Sequence, residues 1–311
     1  MIFTVTLNPA LDKTVEIPSF AIDSVNRITW MRTDPGGKGI NVSKVVSKLG
    51  SKSIATGILG GATGKAIQSA LEDMGLESSF HFAEGETRTN LKVVDPEKHT
   101  NTDINEPGLT VSEDLLNGLL GELLGKISKD DLVVLSGSLP KGAPKDTYHT
   151  WVKACREKGA KVILDADGEL LAEGLLASPY LIKPNNHEIS RLFGQILKTP
   201  QELEQAARSL MEKHGITKIV VSMGGEGALY VTEEATIYAE GLKVPVGSTV
   251  GAGDSVVAAL AVAEESGMAL EDMVRLSTAT GAANVMCSGT QAAEYSVIEE
   301  LMPKVVFHKL R

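Results

Sequence analysis

Short aliphatic and β-branched runs recur along the chain, separated by longer stretches in which apolar residues return every three or four positions. The runs Ile2–Leu7, Ile54–Leu59, Leu132–Leu135, Lys161–Asp165, Tyr180–Lys183 and Ile219–Ser222 show little polar alternation. That is the pattern of strands covered on both faces. In Ile40–Leu49 the residues Val42, Val45, Val46 and Leu49 fall on one helical face. Ser112–Leu124, Lys145–Lys158, Pro200–His214 and Asp254–Ser266 follow the same spacing. Strands alternating with helices predict an α/β fold, a mainly parallel sheet with helices on both faces. We expect one domain over residues 1–311.

Two stretches break this rhythm. Thr14–Met31 and Thr89–Asp103 alternate polar and apolar residues and contain the turn formers Pro18 and Asp95-Pro96. Alternation implies one dry and one wet face, which does not suit a doubly covered sheet. These stretches, about 14–33 and 88–104, are expected to form a small separate β-sheet, a lid over the site, rather than plain surface hairpins. An apolar lid face carrying Trp30, Leu91 and Val93 would suit pairing with a second copy of the chain. Thr236–Val246 reads as further strands near the end of the main sheet.

Composition narrows the function. The chain has 42% hydrophobic residues and a net charge of −10, with no Lys/Arg cluster of the kind a nucleic-acid partner needs. Its longest apolar stretch, Val256–Ala263, is far short of a membrane span, and Met1–Leu7 lacks a basic leader. Cys155 and Cys287 are distant and form no Cys-x-x-Cys pair, so a reducing, cytoplasmic setting without disulfides is expected.

Five segments offer chemistry. Ser248-Thr249-Val250-Gly251-Ala252-Gly253-Asp254-Ser255 precedes an apolar helix. A Gly-Ala-Gly bend opening a helix presents backbone N–H groups to a phosphate or to a phosphoryl group in transfer. Asp254 then reads as an ordinary N-cap or as a base. The helix N-terminus favours its ionised form, a weak base of the kind phosphoryl transfer tolerates. Pro35-Gly36-Gly37-Lys38-Gly39-Ile40-Asn41-Val42 also leads into a helix; Lys38 could meet an anion, or stand solvated on a turn. It is not a Walker A loop, because Gly39 follows the lysine.

Lys183-Pro184-Asn185-Asn186-His187-Glu188 places Asn185 and Glu188 three residues apart, as in a capping box or as outer ligands of hydrated Mg²⁺. Val221-Ser222-Met223-Gly224-Gly225-Glu226-Gly227-Ala228 and Ser136-Gly137-Ser138-Leu139-Pro140 follow strands, where α/β sheets bind ligands. One shared cleft would gather all five. A dinucleotide fingerprint is absent: Val256 and Tyr230 stand where a third glycine should be. No His-x-x-x-His pair or Gly-x-Ser-x-Gly elbow occurs.

Six pieces, in order, resemble one family over essentially the full length: Thr6-Leu7-Asn8-Pro9-Ala10-Leu11-Asp12, Gly36–Val42, Thr87-Arg88-Thr89-Asn90, Ser136–Pro140, Lys183-Pro184-Asn185 with Glu188, and Thr249–Ser255. The chain resembles the ribokinase-like (PfkB) carbohydrate kinases. Its opening with Gly-Gly-Lys-Gly is similar to the hexose-phosphate branch, and Thr87–Val93 to the kinases of fructose 1-phosphate within it. The resemblance implies ATP-dependent phosphorylation of fructose 1-phosphate to fructose 1,6-bisphosphate, with tagatose 6-phosphate and fructose 6-phosphate as alternative acceptors. A catalytically silent sugar-phosphate sensor is the non-enzyme alternative.

The resemblance also implies residue roles. Asp254 would be the base, with Gly251, Ala252 and Gly253 as the anion hole. Asp12, Gly37, Lys38, Gly39 and Asn41 would hold the sugar and its phosphate. Arg88 would contact that phosphate, with Asn90 and Ser138 nearby. Lys183, Asn185 and Glu188 would face the ATP phosphates and Mg²⁺, and Ser222, Gly224, Gly225 and Gly227 the nucleotide. A K⁺ site would lie near Ser248, Val250, Asn284, Cys287, Gly289 and Gln291. Relatives dimerise through the lid, where Arg27 would reach the partner's site. Asp165-Ala166-Asp167 is more acidic than usual for the family, so Asp167 would either repel phosphate or help hold Mg²⁺.

Overall fold

The computed structural model describes all residues, Met1–Arg311. A ten-stranded sheet forms its spine. From one edge its strands are Glu77–Ala83, Ser53–Gly60, Ile2–Thr6, Leu132–Ser136, Lys161–Asp165, Leu181–Ile182 and Lys218–Ser222, all parallel to their neighbours. Gly227–Thr232, Thr236–Glu240 and Phe307–Lys309 complete it in antiparallel register.

The period of two is hidden inside the apolar runs. Phe3 and Val5, Val133 and Leu135, Val162 and Leu164, and Ile219 and Val221 enter a 37-residue core on one face. Ile2, Leu132 and Val134, Ile163 and Val220 enter a 29-residue core on the other. Burial of both faces is the main stabilising term, on the order of 2 kcal/mol per buried Val, Leu or Ile side chain. The first core is closed by helices including Glu113–Lys126, Thr147–Glu157 and Pro200–His214. The second is closed by Lys38–Lys48, Ala252–Glu265, Leu270–Val285 and Tyr295–Leu301. The expected parallel α/β architecture is therefore present.

A separate four-stranded sheet has the order Trp30–Gly36, Ala10–Glu16, Arg88–Asp95, Thr100–Asn105. Its extent differs from the alternation in the sequence: residues 17–29 form a connecting loop, and the first strand begins at Ala10. Register also revises its faces. Leu91 lies opposite Lys13 and Val93 opposite Val15, whereas Trp30 pairs with Glu16 and so projects to the other side. Val93 is not free for a partner, because Val15, Ile17 and Phe20 cover it. The exposed apolar residues on that face are Met31 and Ile104, at 59% and 52% exposure.

The small sheet is tied to the body at two places. Arg32 donates to the carbonyl of Ser288 at 2.8 Å. The buried Lys44 ammonium donates to Pro35 O at 2.9 Å and Thr290 O at 3.0 Å. The polar face, with Asp12, Thr14, Asn90, Lys92 and Asp103, turns towards the C-terminal ends of the parallel strands and lines the cavity between them.

Candidate functional site

That cavity has a volume of about 590 Å³. Asn8, Ser136, Gly137, Ser138, Ala166 and Asp167 line it from the strand ends, where ligands of parallel sheets bind. Two helix N-termini open into it. Helix Lys38–Lys48 is preceded by Gly37 at φ 112, and helix Ala252–Glu265 by Gly251 at φ 80. Both φ values lie where glycine is favoured. Gly39 is required for a different reason: a Cβ there would meet Thr6 Oγ1 at 2.5 Å and Val5 O at 2.8 Å.

Asp254 is the third residue of its helix, and Gly251 is the cap, so the N-cap reading of Asp254 is set aside. Its Oδ2 accepts from Asn41 Nδ2 at 2.8 Å. Asp254 is only 7% exposed. Burial raises its pKa and nearby Asp165 adds to this, while Lys38, Asn41 and Lys183 oppose it. The net shift is upward, opposite to what the helix N-terminus alone would give. Asp254 is accordingly a better base than its position in the sequence implies.

Asp165 is the functional-site residue that motif reasoning passed over. Its buried carboxylate bridges Lys38 at 2.9 Å and Lys183 at 3.4 Å. Burial pushes its pKa up, but Lys183 and Lys38 outweigh this and hold it below the ordinary value. Burial would lower the pKa of Lys38; Asp165 and Asp254 raise it instead. Lys183 Nζ stands 3.3 Å from where a Cβ on Gly253 would be, directly over the glycine bend. Two cations and a row of backbone amides thus converge beside one protonatable carboxylate. Such an arrangement has the chemistry to stabilise charge on a phosphoryl group in transit. The available signal was an apolar run, Val162–Leu164, ending in Asp165.

Towards the small sheet, Asp12 accepts from Asn90 Nδ2 at 3.0 Å, and burial raises the Asp12 pKa. Asn90 Oδ1 and Asn41 Oδ1 are buried without a hydrogen-bond partner, two acceptors open to a polyhydroxylated ligand. Arg88 is more a tether than a free hook. Its guanidinium donates to Asn8 O at 2.9 Å, Glu106 O at 3.3 Å and Pro9 O at 3.4 Å, leaving two of its five N–H groups. Asp167 is paired with Arg191 at 2.8 Å, an exposed ion pair that offsets part of its repulsion of a phosphate.

The remaining candidates lie beside this cavity. Asn185 and Glu188 form a capping box: Asn185 Oδ1 accepts from Glu188 N, and Glu188 Oε2 from Asn185 N, both at 2.8 Å. Asn185 is bridged to Ser222, and Gly224, Gly225 and Gly227 follow on a neighbouring bend. Glu226 on that bend and His187 line a separate depression. The five segments thus divide between a central cavity and an adjacent shelf. Gly247 and Ser248 N–H both donate to Val285 O, which brings Ser248 beside Asn284 and Cys287. Val250 and Gly289 line the cavity, and Gln291 lines another hollow. Arg27 is exposed on the 17–29 loop, away from the cavity lining. Both cysteines are free. No helix is long and apolar enough to cross a membrane.

The profile of the pfkB family carbohydrate kinases matches residues 6–296. The chain is 36% identical to the 1-phosphofructokinase of Bacillus subtilis, covering 100% of both chains. It is 39% identical to the 1-phosphofructokinase of Xanthomonas campestris pv. campestris, over 89% of this chain and 88% of that one. The crystal structure of phosphofructokinase-2 from Escherichia coli in complex with potassium superposes with a TM-score of 0.93 at 32% identity, covering 97% of this chain and 98% of that one. The same enzyme in complex with fructose-6-phosphate gives 0.91 at 31% identity over the same shares. The cavity at the strand ends, the two helix N-termini and these relatives agree: the chain belongs to the pfkB family of carbohydrate kinases.

Proposed function

We propose that this kinase transfers the terminal phosphoryl group of ATP to the free terminal hydroxyl of a phosphorylated ketohexose, fructose 1-phosphate above the others. The product is fructose 1,6-bisphosphate. The observation that carries the reading is the buried Asp254 carboxylate, held by Asn41, beside the Gly251–Gly253 bend and beneath Lys183. Asp254 takes the proton of the acceptor hydroxyl as its oxygen attacks phosphorus and the bond to the departing diphosphate breaks. Backbone N–H groups of Gly251, Ala252 and Gly253, with Lys38 and Lys183, stabilise the charge on the migrating group.

Asp12, Gly37, Gly39, Asn41, Asn90 and Ser138 orient the sugar. Ser222, Gly224, Gly225 and Gly227 receive the nucleotide on the adjacent shelf. Bound Mg²⁺ supplies charge neutralisation at the phosphates. Asn185 and Glu188 would hold it through water, since only one Glu188 oxygen is used in the capping box. K⁺ fits the loops around Ser248, Val250, Asn284, Cys287, Gly289 and Gln291, where the buried Asn284 Oδ1 lacks a partner.

Fructose 1-phosphate is favoured because the curated relatives above are 1-phosphofructokinases. Fructose 6-phosphate is the second reading, on the strength of the fructose-6-phosphate complex, and tagatose 6-phosphate the third. Comparing kcat/KM for the three by coupled ADP release tests the assignment. Fructose 1-phosphate should lead; a clear lead for either 6-phosphate would replace it, and no turnover with any would favour a silent sensor. Dimerisation through the small sheet is supported by Met31 and Ile104, exposed on one of its faces. Sedimentation of the full chain should show a dimer that Ile104→Glu weakens, and a monomeric wild type would contradict it.

A further inference from the structure

The acceptor proposed above carries a phosphate at the end remote from the hydroxyl that reacts. Something in the cavity must take that charge. Four cationic residues line it: Lys13, Lys38, Arg88 and Lys92. Two are already engaged elsewhere, and a third lies on the other face of the small sheet. Lys38 is locked on Asp165 at the transfer end. Arg88 has given three N–H groups to main-chain carbonyls. Lys13 touches the cavity wall, but it pairs in register with Leu91, so its side chain leaves the small sheet on the face opposite Asn90 and Lys92.

Lys92 differs from all three. Arg88, Asn90 and Lys92 alternate along one strand and project to the cavity side. Lys92 lies two residues beyond Asn90, roughly 7 Å farther out from the Asp12–Asn90 pair. Its side chain is 16% exposed, and its ammonium is paired with Asp103 at 2.7 Å. Asp103 is 54% exposed. A pair with one solvated partner is weak and easily exchanged, worth about 0–1 kcal/mol. A phosphate dianion offers the ammonium more charge and more acceptors than the carboxylate does.

We infer that Lys92 is the specificity-determining cation that binds the acceptor's resident phosphate, and that Asp103 holds its place until the sugar phosphate arrives. The inference rests on the functional reading above and adds the residue that distinguishes a sugar phosphate from a free sugar. Asn105, on the same small-sheet face and also lining the cavity, is placed to donate to the same phosphate.

The test is steady-state kinetics with fructose 1-phosphate at saturating ATP, on the wild type and on Lys92→Met, Lys92→Arg and Asp103→Asn. Losing one charge-assisted contact should raise the KM of Lys92→Met roughly ten- to a hundredfold, with kcat within a few-fold of wild type. Lys92→Arg should recover most of that loss. Asp103→Asn should lower KM, because it removes the competitor. The opposite signs separate this account from a merely structural bridge, for which both Lys92→Met and Asp103→Asn would raise KM together. That result, or an unchanged KM in Lys92→Met, would overturn the assignment while leaving the kinase reading intact. A wild type with no turnover on any ketohexose monophosphate would overturn both.

Discussion

The two ends of the cavity are built differently. At the transfer end every charge is engaged and all but Lys38 are buried: Asp254 on Asn41, and Asp165 between Lys38 and Lys183. At the acceptor end the side chains are half-buried, Asp12 and Asn90 leave an acceptor unused, and Lys92 leans on a solvated Asp103. Charges held by fixed partners fix geometry, which suits a step that depends on positioning. Loosely paired groups on a small sheet can exchange partners, which suits recognition. Substitutions at the first end should therefore act on kcat, and at the second on KM.

The largest effect is expected at Asp254. Asp254→Asn should lower kcat by roughly 10²- to 10⁴-fold with little change in KM. Wild-type kcat/KM should fall at acid pH through a pKa above the ordinary 3.8 of an aspartate, and that limb should vanish from the residual activity of the variant. Stability follows the opposite sign. Because the folded state binds this proton more tightly than the unfolded state, ionising Asp254 costs stability as pH rises through its folded pKa. Asp254→Asn should melt at the same temperature as wild type or higher; a large fall in Tm would break the contrast by making Asp254 structural.

Next in size is the KM effect at Lys92, which probes the other end. The last acts on stability rather than on kinetics, at Lys44, which joins the two ends by holding Pro35 O and Thr290 O. Burial lowers its pKa from 10.5 to about 8. Between those values the unfolded chain binds the extra proton, so stability should rise with pH across the window and be flat below it. Denaturant titrations of wild type against Lys44→Met should show this difference, at most about 3 kcal/mol. A difference independent of pH would mean that the ammonium is not strained by its burial.

Much of the fold could be read from the chain because doubly covered strands are long apolar runs, as in Leu132–Leu135. Other strands of the main sheet were not legible. Glu77–Ala83 is an edge strand with Ser78, Ser79 and His81, and Gly227–Thr232 hides behind the glycine bend that precedes it. Alternation identified the small sheet but not its parity, so Trp30 was grouped with Leu91 and Val93 across two faces. The glycine segments revealed the site because φ and close approach demand glycine. Pairings across the fold, such as Asp165 with two lysines, leave no local trace. Burial of Asp254 is likewise a tertiary property, and it reversed the direction of its pKa expected from the helix end.

The central claim is that phosphoryl transfer occurs at the Gly251–Gly253 bend with Asp254 beside the receiving oxygen. A crystal structure with a non-hydrolysable ATP analogue, Mg²⁺ and fructose 1-phosphate tests it directly. The terminal phosphate should lie within hydrogen-bond reach of the bend's N–H groups, with the sugar's free terminal hydroxyl on Asp254. A terminal phosphate seated elsewhere, or a sugar whose hydroxyl turns away from Asp254, would contradict the account.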